Sequence, residues 1–349
     1  MHQFYPLTVS EITPLTPNAV DISFEIPESL KEAFAFESGQ YITIKHTAGD
    51  SEIRRAYSLS SKPGGNKITI GVKKVPGGTF SVYANQTLKK GDVLQVMPPQ
   101  GRFVFAADGP PRDILAFAAG SGITPIMSIV QTALESCTEN KVVLVYGNKS
   151  REEAMYFDAL EGLKEKYNDR FFVHYLFSRN QEEECLFGRI DKSTVNYITR
   201  NKHKSITPDI FYLCGPLPMI ETVTAALKDN GVSEKNIQRE LFTEPDSEAP
   251  KGAETSGKTH LEVTLDDAVH TLEIDRKNIV LDALIKAKID APFSCQGGVC
   301  STCIARVTEG KASMVKNQIL TESELAEGFI LTCQAHAESA VLKIDYDDI

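Results

Sequence analysis

Cys295, Cys300 and Cys303 lie within nine residues of one another, and Cys333 follows after 29 more. The spacing C-x4-C-x2-C with one distant thiol is that of a plant-type [2Fe-2S] cluster. Two bridged irons take two thiolates each, and hard oxygen ligands suit such a soft core poorly. Gly297 and Gly298, between the first two cysteines, let a loop fold tightly and turn backbone N–H groups toward sulfur. Structural zinc is the alternative chemistry. It usually spaces both ligand pairs by two to four residues, whereas Cys303 to Cys333 is a single long return.

Other stretches carry phosphate and ring chemistry. In Arg55-Ala56-Tyr57-Ser58, Arg55 can make charge-assisted bonds to a phosphate, Tyr57 can lie on a flat heterocycle, and Ser58 can bond its edge. Gly77-Gly78-Thr79-Phe80-Ser81 opens a short predicted helix whose N–H groups favour a pyrophosphate, with a hydroxyl added by Ser81. After the apolar run Ile114 to Phe117 comes Gly120-Ser121-Gly122-Ile123-Thr124-Pro125 and then a predicted helix. Gly120 and Gly122 there permit backbone approach, Thr124 offers a hydroxyl, and Pro125 suits a first helical position. Phe211 to Pro216 repeats the strand and turn, with Cys214 and Gly215 at the bend. A third strand ends in Phe177-Ser178-Arg179, and a cation there suits the 2′-phosphate of NADPH where a carboxylate would suit NADH. Lys149 and Arg151 add positive charge nearby. Each fragment alone has a plain structural reading as well: an arginine on a strand, a solvated basic loop, or a small core residue at Cys214. Cys137 and Cys185 have no motif around them.

These groups need elements to hold them. The 349 residues exceed one ordinary core and predict a multidomain fold. Up to Ala107, six short β-rich runs, from Leu7 to Ile12 through Val93 to Val96, alternate with glycine and proline breaks and predict an antiparallel β-barrel or sandwich over 1–107. Over 108–243, apolar runs alternate with helix-length segments at Ile126 to Glu135, Glu152 to Tyr167 and Met219 to Asn230, which is the rhythm of an α/β parallel sheet. Residues 244–258 have almost nothing large and apolar to bury and read as a tether. Over 259–349 a hairpin, the helix Val280 to Lys288, the cysteine loop and a final strand at Val341 to Ile344 follow.

A net charge of −10 argues against nucleic acid as a partner, because phosphates call for a basic surface. From Thr259 onward there are 8 Lys or Arg against 15 Asp or Glu, so most of the excess lies there, either as a solvated surface or as a patch that steers a basic partner. No run approaches the roughly 18 apolar residues of a membrane helix, and Met1 to Ser10 is not a leader, so a cytoplasmic protein without a membrane partner is expected.

With these motifs in this order, the chain resembles the ferredoxin-NADP reductase-type flavoproteins that carry a C-terminal plant-type ferredoxin domain, the family of oxygenase reductase components that serve phenylacetyl-CoA epoxygenase and ketosteroid hydroxylase systems. The resemblance covers nearly the whole chain. It implies an FAD-binding barrel using Arg55, Tyr57, Ser58, Gly78 and Ser81, and a nicotinamide domain using Gly120, Gly122, Thr124, Ser178, Arg179, Cys214 and Gly215. It also implies an α+β β-grasp ferredoxin domain with Cys295, Cys300, Cys303 and Cys333 as cluster ligands. Cys214 would lie near the nicotinamide ring, and Phe242 of Glu240-Leu241-Phe242 would cover the flavin, although a core position suits either residue equally. The implied activity moves electrons from NADPH, with NADH possible, through FAD and the cluster to a partner oxygenase. A reductase for another acceptor such as a hydroxylase, or a redox sensor without catalysis, is the alternative.

Overall fold

The computed structural model describes residues 3–49, 51–242 and 257–349. Two compact units emerge, one holding Phe4–Ile53 and Tyr57–Phe242, the other centred on the chain after Phe242.

The first unit begins with β1 (Tyr5–Thr16), β2 (Ala19–Glu25), β3 (Tyr41–Ala48), β4 (Ser51–Ser58), β5 (Lys67–Lys73) and β6 (Val93–Gln100), in the sheet order β4-β3-β6-β1-β2-β5. Alternation sends Leu7, Val9, Ile22, Phe24, Ile68, Ile70 and Val72 into one core. Each such side chain contributes about 1.5–3 kcal/mol by leaving water. A bridge from Leu59 to Ile70 draws the sheet's two edges together into the expected barrel. Helix α1 (Thr79–Gln86) plugs it with Phe80 and Ala84.

Next comes a sheet with every pairing parallel: β7 (Asp113–Ala119), β8 (Lys141–Asn148), β9 (Phe171–Phe177), β10 (Leu186–Phe187), β11 (Ile210–Gly215) and β12 (Ile237–Leu241), ordered β10-β9-β8-β7-β11-β12. Its inner strands are buried on both faces, which is why they read as apolar runs rather than alternations. Helices α2 (Ile123–Ser136), α3 (Phe157–Lys166), α4 (Lys192–Asn196) and α5 (Leu217–Asp229) accompany the strands. The strand order reverses between β7 and β11, and ligands of such sheets bind beyond the carboxyl ends of the strands at that reversal.

The helix expected at Glu152 to Tyr167 is broken. A short 3₁₀ turn covers Arg151–Glu153, and α3 starts only after Tyr156, whose φ of 60° is left-handed. The cause is tertiary, because the Tyr156 side chain is committed to a partner in the barrel.

The second unit holds β13 (Lys258–Leu265), β14 (Ala268–Asp275), α6 (Val280–Lys286), β15 (Ile304–Glu309), β16 (Ala312–Met314), α7 (Glu322–Ala326), β17 (Phe329–Leu331), β18 (Ala335–Ala337) and β19 (Val341–Asp345). Its main sheet is ordered β14-β13-β19-β15-β17, with β13 and β19 parallel. Asp266 and Asp267, at φ 52° and 60°, make the tight turn between β13 and β14. Val280, Leu281 and Leu284 of α6 bury against Leu261, Val263, Leu342 and Ile344. The expected tether falls outside the described residues up to 256, and its last residue, Lys258, already belongs to β13. No described helix is long and apolar enough to cross a membrane.

Candidate functional site

Ser58 ends β4 and is buried, and its hydroxyl donates to Glu240 Oε2 at 3.0 Å. Glu240 lies in β12, directly paired with Cys214 of β11. A Cβ on Gly122 would fall 2.1 Å from the Cys214 carbonyl oxygen and 2.9 Å from the Gly215 nitrogen, so the turn after β7 rests on the turn after β11 only because residue 122 has no side chain. Four separate sequence fragments therefore meet around one spot: the end of R-x-Y-S, the glycine turn, Cys214-Gly215 and Glu240.

Burial pushes the Glu240 carboxyl up to about 8, opposed only in part by the Ser58 hydroxyl. Burial also drives the Cys214 thiol well up, and Glu240 adds to it. At neutral pH the spot thus holds a hydroxyl, a protonated carboxyl and a neutral thiol, all three buried, with Cys214 fully enclosed in the core of the parallel sheet. No sequence motif singles out Glu240 for a role of its own. An acid inside Ile237–Leu241 is a faint hint, since only the fold shows that this strand is buried.

On the flavin side, Tyr57 is half-buried with its ring 5.4 Å from Phe80 in the first turn of α1. No side chain caps that turn, and the space around Gly77 is open. Ser81 Oγ accepts from the Val75 N–H at 3.2 Å, so this hydroxyl shapes the loop. Arg55 Nη1 donates to the Arg54 carbonyl at 2.7 Å. An uncapped helix start beside an aromatic pair fits a pyrophosphate and a flat ring.

On the nucleotide side, Gly120 has φ 55° and nothing within 4 Å of where a Cβ would stand, leaving its backbone approachable. Thr124 is buried and donates to the Ser121 carbonyl at 3.0 Å, so it fastens the turn instead of offering a free donor. The side-chain amide of Asn148, buried at the end of β8, lies beside the Tyr146 hydroxyl and finds no other partner among the described residues. Open glycine backbone and a buried amide with donors to spare fit a dinucleotide.

Ser178 and Arg179 are fixed by backbone donation to the Asn148 and Lys149 carbonyls at 3.0 and 2.9 Å. They follow β9, three strand steps from β11, or about 14 Å at roughly 4.8 Å per step. The structure thus separates them from Cys214 by a dinucleotide-scale distance. Arg179 is exposed and has no ion pair among the described residues, while Lys149 reaches Glu153 at 3.8 Å and Arg151 covers the Phe157 ring at 4.3 Å. Phe242, just past β12, is 36% exposed.

In the second unit Gln296, Gly298 and Ser301 take positive φ and curl the cysteine loop. A Cβ on Gly298 would meet the Lys316 carbonyl oxygen at 3.0 Å. The Gly297 N–H donates to Cys295 Sγ at 3.3 Å, and Cys300 Sγ shares a hydrogen bond with Thr302 Oγ1 at 3.2 Å. Contact with Cys300 lowers the Cys295 thiol to about 6 and raises Cys300, while Cys333 raises Cys303 in the same way. The Cys295 N–H donates to Cys300 Sγ at 3.5 Å, and Cys303 and Cys333 are neighbours in the same buried core. No three His, Cys, Asp or Glu side chains converge on a single ion position among the described residues. All four thiols are free of disulfides, and the Ser294 hydroxyl beside them is buried without a partner. This donor set fits a diiron cluster.

Comparison with known proteins agrees. The oxidoreductase FAD-binding domain matches residues 6–105, the oxidoreductase NAD-binding domain residues 117–225, and the 2Fe-2S iron-sulfur cluster binding domain residues 263–338. A component of 1,2-phenylacetyl-CoA epoxidase from Escherichia coli K12 is 35% identical over 99% of each chain. The ferredoxin reductase component of 3-ketosteroid-9-alpha-monooxygenase from Rhodococcus rhodochrous is 32% identical over 97% of this chain and 96% of its own. In fold, phthalate dioxygenase reductase superposes with a TM-score of 0.62 over 98% of each chain, at 20% identity. An intact type IV self-sufficient cytochrome P450 monooxygenase superposes with a TM-score of 0.71 over 98% of this chain, which spans 41% of that longer protein.

The fold and sites define an NAD(P)H-dependent oxidoreductase that uses FAD and a [2Fe-2S] cluster. The chain belongs to the family of three-domain flavin and iron-sulfur reductases that includes the phenylacetyl-CoA epoxidase component and the ketosteroid monooxygenase reductases.

Proposed function

We propose that this chain draws electrons from NADPH and delivers them singly to a partner oxygenase, in a system of the phenylacetyl-CoA epoxidase type. The observation that carries the reading is the meeting of Ser58, Glu240, Cys214 and Gly122, which joins the barrel's motif to the nucleotide motifs. FAD, when bound, supplies the exchange of an electron pair for single electrons, and the cluster supplies a one-electron store.

The chain's own residues have separate tasks in this scheme. Arg55, Tyr57, Gly78 and Ser81 would bind and orient FAD, with α1 turned to its pyrophosphate. Ser58 and Glu240 would hold a proton between Oγ and Oε2 at the ring edge, and Cys214 would fill the nicotinamide side with a small neutral group. Phe242 would shield the ring from water. Gly120, Gly122, Thr124 and Gly215 would shape the phosphate turn, and Ser178 with Arg179 would take the 2′-phosphate, which is why NADPH is preferred. Cys295, Cys300, Cys303 and Cys333 would ligate the cluster. The oxygenase assignment draws on the relatives, which belong to an epoxidase and to a monooxygenase, and the acidic chain after Thr259 suits a basic docking face. None of the seven cysteines is in a disulfide, in keeping with a reducing cytoplasm.

Anaerobic titration of the purified chain with NADPH and then NADH, following flavin and iron-sulfur absorbance separately, tests this reading. Both chromophores should bleach, and at lower NADPH than NADH concentrations. A chain that lacks iron and acid-labile sulfide, or that bleaches no faster with either nucleotide than without, defeats it.

A further inference from the structure

A second contact joins the barrel to the nucleotide lobe away from Ser58. Tyr156, only 8% exposed, donates its hydroxyl to Asp21 Oδ1 at 2.5 Å. Asp21 lies in β2, paired across to Gly71 of β5. A Cβ on Gly71 would fall 2.4 Å from the Tyr156 hydroxyl, 2.8 Å from Met155 Cε and 2.8 Å from Thr124 Cγ2. Barrel wall, Tyr156 corner and the fastening residue of the glycine turn thus meet at a point where only glycine fits.

The same corner reaches the turn by a second route. Met155 and Tyr156 lie against Tyr146, whose hydroxyl donates to the Gly120 carbonyl at 3.1 Å. Tyr156 also bears a left-handed backbone, uncommon for a bulky side chain, whose strain the surrounding contacts must offset. Burial raises the Asp21 carboxyl to about 6, with the Tyr156 hydroxyl opposing, so at neutral pH a neutral phenol donates to a largely dry carboxylate. Neither residue belongs to a phosphate, flavin or cluster motif.

We propose that Asp21 and Tyr156 are positioning residues that set the glycine turn Gly120–Thr124 at a fixed distance from the barrel, and so govern how a bound nicotinamide meets the flavin. They act through Thr124, Tyr146 and Gly120 without touching the nucleotide. The proposal rests on the reading that this turn takes the nicotinamide cofactor and the barrel takes FAD.

The test uses the full chain loaded with FAD and cluster. Stopped-flow reduction by NADPH separates the limiting rate of flavin bleaching from the apparent Kd. Tyr156→Phe should lower the limiting rate about tenfold, equivalent to ~1.4 kcal/mol, and weaken the flavin–nicotinamide charge-transfer absorbance, with Kd changed by less than about twofold. Asp21→Asn keeps the shape and a neutral acceptor and should recover most of the rate. Hydrogen exchange without nucleotide adds a readout independent of turnover: the amides of residues 120–124, 126 and 127 should exchange about fivefold faster in Tyr156→Phe, roughly one kcal/mol of lost local protection. Unchanged rate, absorbance and exchange in Tyr156→Phe overturn the proposal. A raised Kd at an unchanged limiting rate overturns it too, since that would make the contact a determinant of affinity. Should Tyr156→Phe fail to fold, Asp21→Ala carries the same measurements. A wild-type chain that NADPH does not reduce would defeat the functional reading alone, because the exchange data would still decide whether the contact holds the turn.

Discussion

Replacing Glu240 by Gln keeps the size of the side chain and an acceptor for Ser58 but removes the titration. Glu240 is held at about 8 by burial, against an ordinary value of 4.5. Between those values the folded chain retains a proton that the unfolded chain has released. Its contribution to stability is therefore complete below pH 4.5 and is lost as pH rises through about 8. The slope is ~1.4 kcal/mol per pH unit, which from pH 6 to pH 8 amounts to about 2 kcal/mol once half-titration near the upper end is counted. The Glu240→Gln variant carries no such dependence. The wild-type chain should thus lose about 2 kcal/mol relative to that variant over the same interval, or roughly 5 °C in the midpoint of the first unit's transition. Thermal unfolding by circular dichroism at pH 6, 7 and 8, run on both proteins in parallel, measures the difference, and the carbonyl stretch of a protonated carboxyl in infrared difference spectra reports the group directly. Stability curves for the two proteins that stay parallel across pH, or converge in the opposite sense, would refute the placement of a protonated acid beside Ser58.

Three further outcomes are expected. Cys333→Ser removes one of the four thiols, and the purified chain should lose iron and acid-labile sulfide while its flavin is still bleached by NADPH. Arg179→Ala should raise the apparent KM for NADPH by about 10- to 100-fold, from the loss of one charge-assisted bond worth ~1.5–3 kcal/mol, and leave that for NADH within about twofold. Equal effects on both nucleotides would remove Arg179 from the 2′-phosphate site. Gly122→Ala places a methyl group 2.1 Å from a backbone oxygen that no rotamer change can move. It should cost about 1–3 kcal/mol in unfolding experiments and slow flavin reduction, and a fully stable, fully active variant would contradict the stacking of the two turns.

Much of the molecule is decided by local sequence. Alternating apolar residues such as Leu7 and Val9, or Ile68, Ile70 and Val72, can bury one face only as strands, and continuous runs such as Ile114 to Ala118 suit a sheet covered on both sides. The cysteine spacing likewise names its chemistry, because Cys295, Cys300 and Cys303 share one loop with the glycines that let it curl. What the sequence leaves open lies wherever partners come from distant segments. Ser58 and Glu240 are 182 residues apart, and Asp21 and Tyr156 are 135 apart. Nothing near Glu240 shows that its carboxyl will be dry and protonated, and helix propensity across Glu152 to Tyr167 gives no warning that Tyr156 will turn left-handed to reach the barrel. Local patterning fixes which face of an element is apolar, but the burial that shifts a carboxyl or strains a backbone is created only when two such faces close on each other.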